Sequence, residues 1–297
     1  RFVTNAVIEG TTASGNGGDG MVLARATTGT VLSAVDASTN ARNGISISGL
    51  PLATGPTATG TSVGDYGGNA VSNSRAAGNG RYGIEVVGGH DIGVNANDLT
   101  GNDMAVVVRG GARAVAVVGN NITDPVRHGI AVRDGVGASA VSGNIVSGGE
   151  TAIYVRASAV EVVRNTLTGA SVHGISLVGN VEGTALQENT VSGRGPSAID
   201  LTRAESVDAR DFDNELSGWS DTTPWLVTLK RIAQPLNLLW TALALIVVIT
   251  AVRGVRRRTT AKRHPYADKM PVATADDVVV DAPAGPPRRP PAPARTP

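Results

Sequence analysis

Apolar and polar positions alternate with period two in short stretches along most of the chain, and a small residue opens each stretch. The openings are Gly20-Met21-Val22-Leu23, Gly44-Ile45-Ser46-Ile47, Gly83-Ile84-Glu85-Val86, Ala105-Val106-Val107-Val108, Gly129-Ile130-Ala131-Val132, Ala152-Ile153-Tyr154-Val155, Gly174-Ile175-Ser176-Leu177 and Ala198-Ile199-Asp200-Leu201. Side chains on an extended backbone point alternately to opposite faces, so Ile130 and Val132 point one way and Ala131 and Arg133 the other. The steps from Ile84 to Val106, Ile130, Ile153, Ile175 and Ile199 are 22, 24, 23, 22 and 24 residues, and Met21 to Ile45 is again 24. One step, Ile45 to Ile84, is 39 residues and contains the Gly-, Thr- and Pro-rich stretch Pro51 to Tyr66. That composition predicts a loop inserted into a single repeat.

A second marker keeps the same pace. It reads Asn-x-aliphatic-Ser/Thr or close to it, and its asparagines are Asn97, Asn120, Asn144, Asn165, Asn189 and Asn214. No stretch of the repeats has a helical period long enough to pack on a sheet. Short strands, tight turns and a 22–24-residue repeat predict an all-β solenoid, a parallel β-helix in which each repeat forms one rung. Rungs stack at roughly 4.8 Å, so equivalent residues fall into columns. Ile84, Val106, Ile130, Ile153, Ile175 and Ile199 are the expected core column, and the asparagines an amide ladder at one corner.

Composition agrees with a narrow core. Aromatic residues are 3% of the chain, while glycines number 38. A wide core draws on large rings, whereas a column of Val, Ile, Leu and Ala needs none. There is no Cys, which excludes disulfides and thiolate metal sites. The chain opens at Arg1 with what reads as the tail of a repeat, and it is expected to lack its original start. Gly15-Asn16-Gly17-Gly18-Asp19-Gly20 fits a dinucleotide-loop pattern and faintly a calcium repeat, and Asn121-Ile122-Thr123 fits a glycosylation sequon. With no helix following, one copy only, and a repeat that generates the sequon by itself, all three read as turns.

The net charge of +1 conceals an asymmetry: residues 1–218 carry −6 and residues 253–297 carry +6. Between them lies an uncharged run. Residues 1–218 are the expected β-helix, and 219–233 a capping or interfacial helix with Pro224 at its first turn. Residues 234–252 are the expected transmembrane helix, with Leu236 to Val252 as its apolar centre. Arg253, Arg256, Arg257, Arg258, Lys262 and Arg263 follow closely, which places the C-terminus in the cytoplasm and the β-helix outside, on a single-pass cell-membrane protein. The tail 253–297 is basic and Pro-rich, and it is expected to be disordered or polyproline-like. Docking a cytoplasmic partner is one use for such a tail, and an inert solvated tail is the other.

Candidate chemistry lies on the outward side of the opening strands. The second outward position carries Ala24, Ser48, Val87, Arg109, Arg133, Arg156, Val178 and Thr202. Three arginines on consecutive rungs repel one another, so each needs a counter-charge or an anionic ligand. Asp134 and Glu150 are available as counter-charges. The neighbouring outward column holds Glu85, Tyr154 and Asp200, and the position before the small residue holds Tyr82, His128 and His173. Arg109, Arg133, Arg156, Glu85 and Asp200 are the candidate substrate-binding residues, and His128 and Tyr154 the candidate proton-transfer groups. Such a set suits a uronic-acid polymer: an arginine neutralises the carboxylate and acidifies the adjacent C–H, and His or Tyr removes the proton. No metal, cofactor or nucleic acid is expected.

The Gly-Ile-x-Val opening with Asn-x-aliphatic-Ser/Thr resembles the right-handed parallel β-helix repeat of pectate-lyase-like, NosD-like and mannuronan C5-epimerase-like proteins, over roughly residues 1–218. The resemblance implies an extended carbohydrate ligand on the strand face. Arg127-His128-Gly129-Ile130-Ala131-Val132-Arg133-Asp134 stands where alginate epimerases carry an Asp-Pro-His-Asp signature, which this chain lacks; Gly89-His90-Asp91 keeps only a His-Asp pair. The expected function is binding or modifying an anionic polysaccharide, lyase- or epimerase-like if catalytic. The alternative is a non-catalytic surface scaffold for protein contact in the cell envelope, which Val22, Val87, Val107 and Val178 on the outward side leave open.

Overall fold

A computed structural model of the chain describes residues 3–51, 66–205, 210–225 and 235–258. The chain divides into two units, residues 1–228 and 229–297. The first is a parallel β-solenoid of about eight turns. Its strands sort into three long parallel sheets of nine, seven and eight strands, in which each strand pairs with its equivalents one rung before and after, plus one two-stranded pair near the start.

The eight-stranded sheet is built from the opening stretches, and its register is the one the alternation predicts. Met21, Ile45, Ile84, Val106, Ile130, Ile153, Ile175 and Ile199 pair in sequence from rung to rung. The 39-residue step is absorbed within one rung: Ile45 pairs directly with Ile84, and the Tyr66 amide donates to the Gly49 carbonyl at 2.9 Å. The inserted stretch itself, 52–65, lies outside the described residues.

One continuous aliphatic core runs through the rungs. Ile45, Ile84, Val106, Ile130, Ile153 and Ile175 are fully buried, joined by a second column of Ile47, Val86, Val108, Val132, Val155 and Leu177. Each such side chain contributes roughly 1.5–3 kcal/mol by leaving water. Ile199 is only partly buried, packed against this core in the last rung of the sheet.

The asparagine ladder forms as expected. The Oδ1 of Asn120, Asn144, Asn165 and Asn189 each accepts both the backbone N–H and the Nδ2–H of the asparagine one rung earlier, at 2.9–3.0 Å. Each Nδ2 also donates to a backbone carbonyl, as from Asn144 to Val117 at 2.9 Å. The residue before each asparagine turns the corner between the nine- and seven-stranded sheets. Ala96, Gly119, Gly143, Arg164, Glu188 and Asp213 all have φ between 50° and 65°. That left-handed backbone disturbs the ladder of the main chain, and the asparagine amide restores the lost partners.

A second ladder was not anticipated. Asn16, Asn40, Asn79 and Asn102 are linked in the same way at the next corner, at 2.9–3.1 Å. It stops at Pro125, which follows the left-handed Asp124 where the next asparagine would stand and has no amide oxygen to accept from Asn102. Asn16 in this ladder accounts for part of the glycine-rich stretch 15–20, and Asp19 for another, since its Oδ1 accepts the Asn43 N–H at 3.0 Å. Asn121 of the sequon heads a strand, its side chain 3.3 Å from Asp98.

The last strand of the seven-stranded sheet runs Glu215–Asp221, a little past the expected end of the solenoid at Gly218. Most of the helix expected over 219–233 lies outside the described residues, as does the tail from 259. The second unit holds one described helix, Pro235–Arg258. Its side chains are described for residues 239–254, and the large apolar ones among them are exposed, Leu239, Trp240, Ile246 and Val252 included. Among the described residues no helix is long and apolar enough to cross a membrane.

Candidate functional site

The outward side of the eight-stranded sheet carries a second, small apolar cluster separate from the core. Met104, Val107 and Ala131 are fully buried there, and Tyr82 and Tyr154 pack against them. The register explains the gathering. Met104 pairs with Tyr82 on one side and His128 on the other, while Ala131 pairs with Val107 and Tyr154. Val107 and Ala131 are short, and the longer side chains around them pack over them.

His128 and Tyr154 meet beside this cluster. Their rings stack with centroids 5.1 Å apart and planes 12° from parallel. Arg133 follows the strand His128–Val132 and lays its guanidinium carbon 5.8 Å from the Tyr154 ring centroid. One of its terminal nitrogens lies 3.3 Å from the Met104 sulfur. Two polar atoms in this group are buried without a hydrogen-bond partner, His128 Nδ1 and Arg133 Nε. Burial drives the His128 imidazole down to about 4, and the positive charges of Arg133 and Arg127 push the same way. At neutral pH His128 is therefore uncharged, a weakly basic ring beside a cation.

The three stacked arginines have different partners. Arg109 is committed: it reaches Glu85 through Nε at 2.9 Å and through a terminal nitrogen at 2.8 Å. Glu85 is 5% exposed and also accepts the Asn43 amide at 2.9 Å, so the pair is part of the wall of the sheet. Arg156 pairs with Asp134 at 3.5 Å, with both side chains more than half exposed; such a pair is weak and easily exchanged. Among the described residues no carboxylate pairs with Arg133. Glu150, the other expected counter-charge, makes no ion pair with any of the three. Beside them, Arg127 clasps Asp103 through two nitrogens, and that hydrogen-bonded pairing holds the Asp103 carboxyl below its usual range.

Asp200 stands apart from Arg133. It pairs with Ser176, which pairs with Tyr154, so two rungs, roughly 10 Å, separate Asp200 from the ring. It is 4% exposed, where an open outward position was expected. A bulge explains the difference. The register shifts after Asp200, so that Val178 pairs with Arg203 and not with Thr202. Thr202 is thereby free to bond Asp200 Oδ1 through its N–H at 3.1 Å and its hydroxyl at 2.6 Å. Burial alone would raise the Asp200 carboxyl; the Thr202 bonds and the charges of His173 and Arg203 outweigh it and hold the carboxyl below its usual value. Arg203 replaces Thr202 in the outward column, and Leu201, inward by simple alternation, is 40% exposed in this last rung of the sheet.

The structure thus brings His128, Tyr154 and Arg133 together, ties Glu85 to Arg109, and places Asp200 in a separate group with His173, Ser176 and Arg203. Among the described residues no group of three or more His, Asp or Glu side chains could hold a metal ion. An open hollow of about 450 Å³, lined by Asp36, Arg75 and Asp98 among others, lies at the corner between the other two sheets and contains none of these residues.

The family model described as "Right handed beta helix region" matches residues 53–191. No curated protein sequence matches the chain. Among solved structures, the periplasmic alginate epimerase AlgG is similar at 12% identity and a TM-score of 0.50, over 66% of this chain and 46% of that one. The A-module of the Azotobacter vinelandii mannuronan C-5 epimerase AlgE4 is similar at 18% identity and a TM-score of 0.44, over 68% of this chain and 57% of that one. The chain therefore spans about half the length of the solved structures it resembles. Sheet order, register, the family model and the AlgG match agree that the first unit is an all-β, right-handed β-solenoid.

Proposed function

We propose that the outward face around Arg133 binds an anionic polysaccharide laid along the strands' stacking direction. The observation that carries this reading is the unequal pairing of the three arginines. Arg109 and Arg156 have carboxylates, whereas the middle guanidinium has, among the described residues, only an aromatic ring and a sulfur beside it. A planar cation beside a ring is the arrangement that takes a carboxylate and a flat sugar face together. Asp134 releases Arg156 at little cost, which gives a second carboxylate contact one rung on. The similarity to an alginate epimerase agrees with this substrate class.

Lyase- or epimerase-like chemistry would require His128 or Tyr154 to move a proton. A ring as weakly basic as His128 is a poor acceptor at neutral pH, so binding is the reading the geometry supports best. We further propose that the apolar run Leu236 to Val252 anchors the chain in a membrane as a single span, with the β-solenoid outside and the basic tail in the cytoplasm. The uncharged sequence from 232 to 252, a length close to what a bilayer requires, and the basic cluster after it support this.

Binding is tested by passing the full chain over immobilised polyuronate and over a neutral glucan at low salt. Retention on the polyuronate alone, lost in Arg133→Gln, is expected; equal retention of wild type and Arg133→Gln would refute the reading. Anchoring is tested by carbonate extraction of membranes from expressing cells: the chain should stay in the pellet, and release into the supernatant would overturn the span.

A further inference from the structure

The last two rungs of the same sheet hold a constellation that glycan binding does not use. His173 and Ser197 are direct register partners, so their side chains stack. The Ser197 hydroxyl lies 3.1 Å from His173 Nδ1. On the other side of the ring, Nε2 faces Asp200 Oδ2 at 3.5 Å. The imidazole is largely buried, 14% exposed, and the carboxylate 5%.

Two tautomers are open to the ring, since Nδ1 also lies 3.2 Å from the Ser197 carbonyl, which a proton on Nδ1 would satisfy. A neutral ring carrying its proton on Nδ1 would turn the Nε2 lone pair toward a carboxylate, which is repulsive. With the proton on Nε2 the ring donates toward Asp200, and Nδ1 is left to accept from the Ser197 hydroxyl. Carboxylate, imidazole and hydroxyl then stand in the order that activates a serine.

The surroundings hold these groups in place. Asp200 Oδ1 is pinned twice by Thr202, the residue the bulge inserts, and bulges commonly re-aim a side chain. The backbone leading into Ser197 is tied from the following rung. Trp219 Nε1–H donates to the Gly195 carbonyl at 3.2 Å, the Thr222 N–H donates to it at 3.0 Å, and the Thr223 hydroxyl donates to the Pro196 carbonyl at 3.3 Å. Arg203, with a side chain 57% exposed, sits 3.6 Å from Asp200 and 3.3 Å from the Ser176 hydroxyl. Nothing in the solenoid fold demands this set. The corresponding positions one rung earlier are Thr151, with Tyr154 in place of Ser176.

We infer that Ser197, His173 and Asp200 form a nucleophilic relay that cleaves carboxylic esters, with an O-acyl group on a bound glycan or other alcohol as the substrate class. Ser197 Oγ attacks the acyl carbonyl while its proton passes to His173 Nδ1. The carbonyl oxygen takes up the negative charge of the tetrahedral intermediate. The carbon–oxygen bond to the alcohol then breaks, and the departing alkoxide takes the proton from Nδ1. Water attacks the acyl-serine, again giving its proton to Nδ1. The carboxylic acid leaves and the Ser197 hydroxyl is restored. Ser197 and His173 are catalytic residues; Asp200 is a positioning residue that keeps the proton on Nε2.

The test is covalent labelling of the full chain with an alkyl fluorophosphonate, mapped by mass spectrometry, alongside hydrolysis of 4-nitrophenyl acetate. Labelling on Ser197 is expected, absent in Ser197→Ala and at least about 100-fold slower in Asp200→Asn. Labelling needs no glycan, so its outcome is independent of the polysaccharide reading, and Asn121→Ala, exposed and outside both sites, should label at the wild-type rate. A folded wild-type chain that takes no label, or is labelled elsewhere, overturns the relay, whatever the variants do. So does Asp200→Asn labelling at the wild-type rate.

Discussion

Replacing Asn144 with alanine removes one link from the middle of the asparagine ladder, and its cost follows from the bonds it makes. Asn144 is fully buried. Its Oδ1 accepts from Asn120 N and from Asn120 Nδ2, each at 2.9 Å, and its Nδ2 donates to Val117 O and to Asn165 Oδ1, each at 2.9 Å. Alanine leaves those four partners short of a bond inside the protein. An unsatisfied buried group costs about 1–3 kcal/mol. The Asn165 oxygen keeps its bond from the Asn144 backbone N–H, and the Asn120 amide keeps its bond to Val94, so the penalty is not fourfold. The expected loss is about 3–5 kcal/mol, at the upper end for a point change. For a unit of this size that lowers Tm by roughly 10 °C. Circular dichroism during thermal and urea unfolding measures it. Asn121→Ala, one residue on but exposed, is the control, with an expected change below about 0.5 kcal/mol. If Asn144→Ala unfolds within about 1 kcal/mol of wild type, the ladder is not what satisfies this corner, and the argument fails.

Other positions give independent tests. Ala96 turns the corner at φ 54°; Ala96→Gly relieves left-handed strain and should stabilise by about 1 kcal/mol in urea unfolding, with a loss of stability contradicting the corner. Arg109→Ala leaves the nearly buried Glu85 without its cation and should cost about 2–4 kcal/mol, whereas Arg156→Ala, whose pair is exposed, should change the urea midpoint little. His128 binds its proton less readily folded than unfolded, so stability is full above the unfolded value of about 6.5 and falls as pH drops toward about 4. After allowance for solvent screening the loss is about 2 kcal/mol. Urea unfolding at pH 7, 5.5 and 4.5 should show it, and His128→Gln should flatten the slope in that window.

The solenoid was legible because its determinants repeat. A column of Ile and Val and a column of Asn recur at 22–24 residues, and a parallel stack turns each recurrence into a contact. The second ladder kept the same steps, 24, 39 and 23 between Asn16, Asn40, Asn79 and Asn102, but no single strand motif accompanies it. The left-handed corners were hidden because alanine, arginine and glutamate occupy them as well as glycine. At the candidate site, register brought His128, Tyr154 and Arg133 together as their columns require. Alternation did not reveal that Glu85 and Asp200 are buried, because Arg109 folds onto the first and the bulge brings Thr202 and Arg203 to the second. Nor did it reveal the bulge, which exchanges Thr202 for Arg203 and carries no signature in the neighbouring residues. Ser197 and His173 shared a column from the start, and their pairing becomes chemically meaningful only with Asp200 turned beneath the ring.

The central claim is that Arg133, and not its neighbour Arg109, is the cation held open for an anionic polymer. Calorimetric titration of the full chain in detergent with a defined uronic-acid oligomer tests it most directly. Wild type should bind with an affinity that falls as salt rises, Arg109→Gln should bind within about threefold of wild type provided it remains folded, and Arg133→Gln should lose at least about tenfold. Equal affinity for wild type and Arg133→Gln would contradict the account.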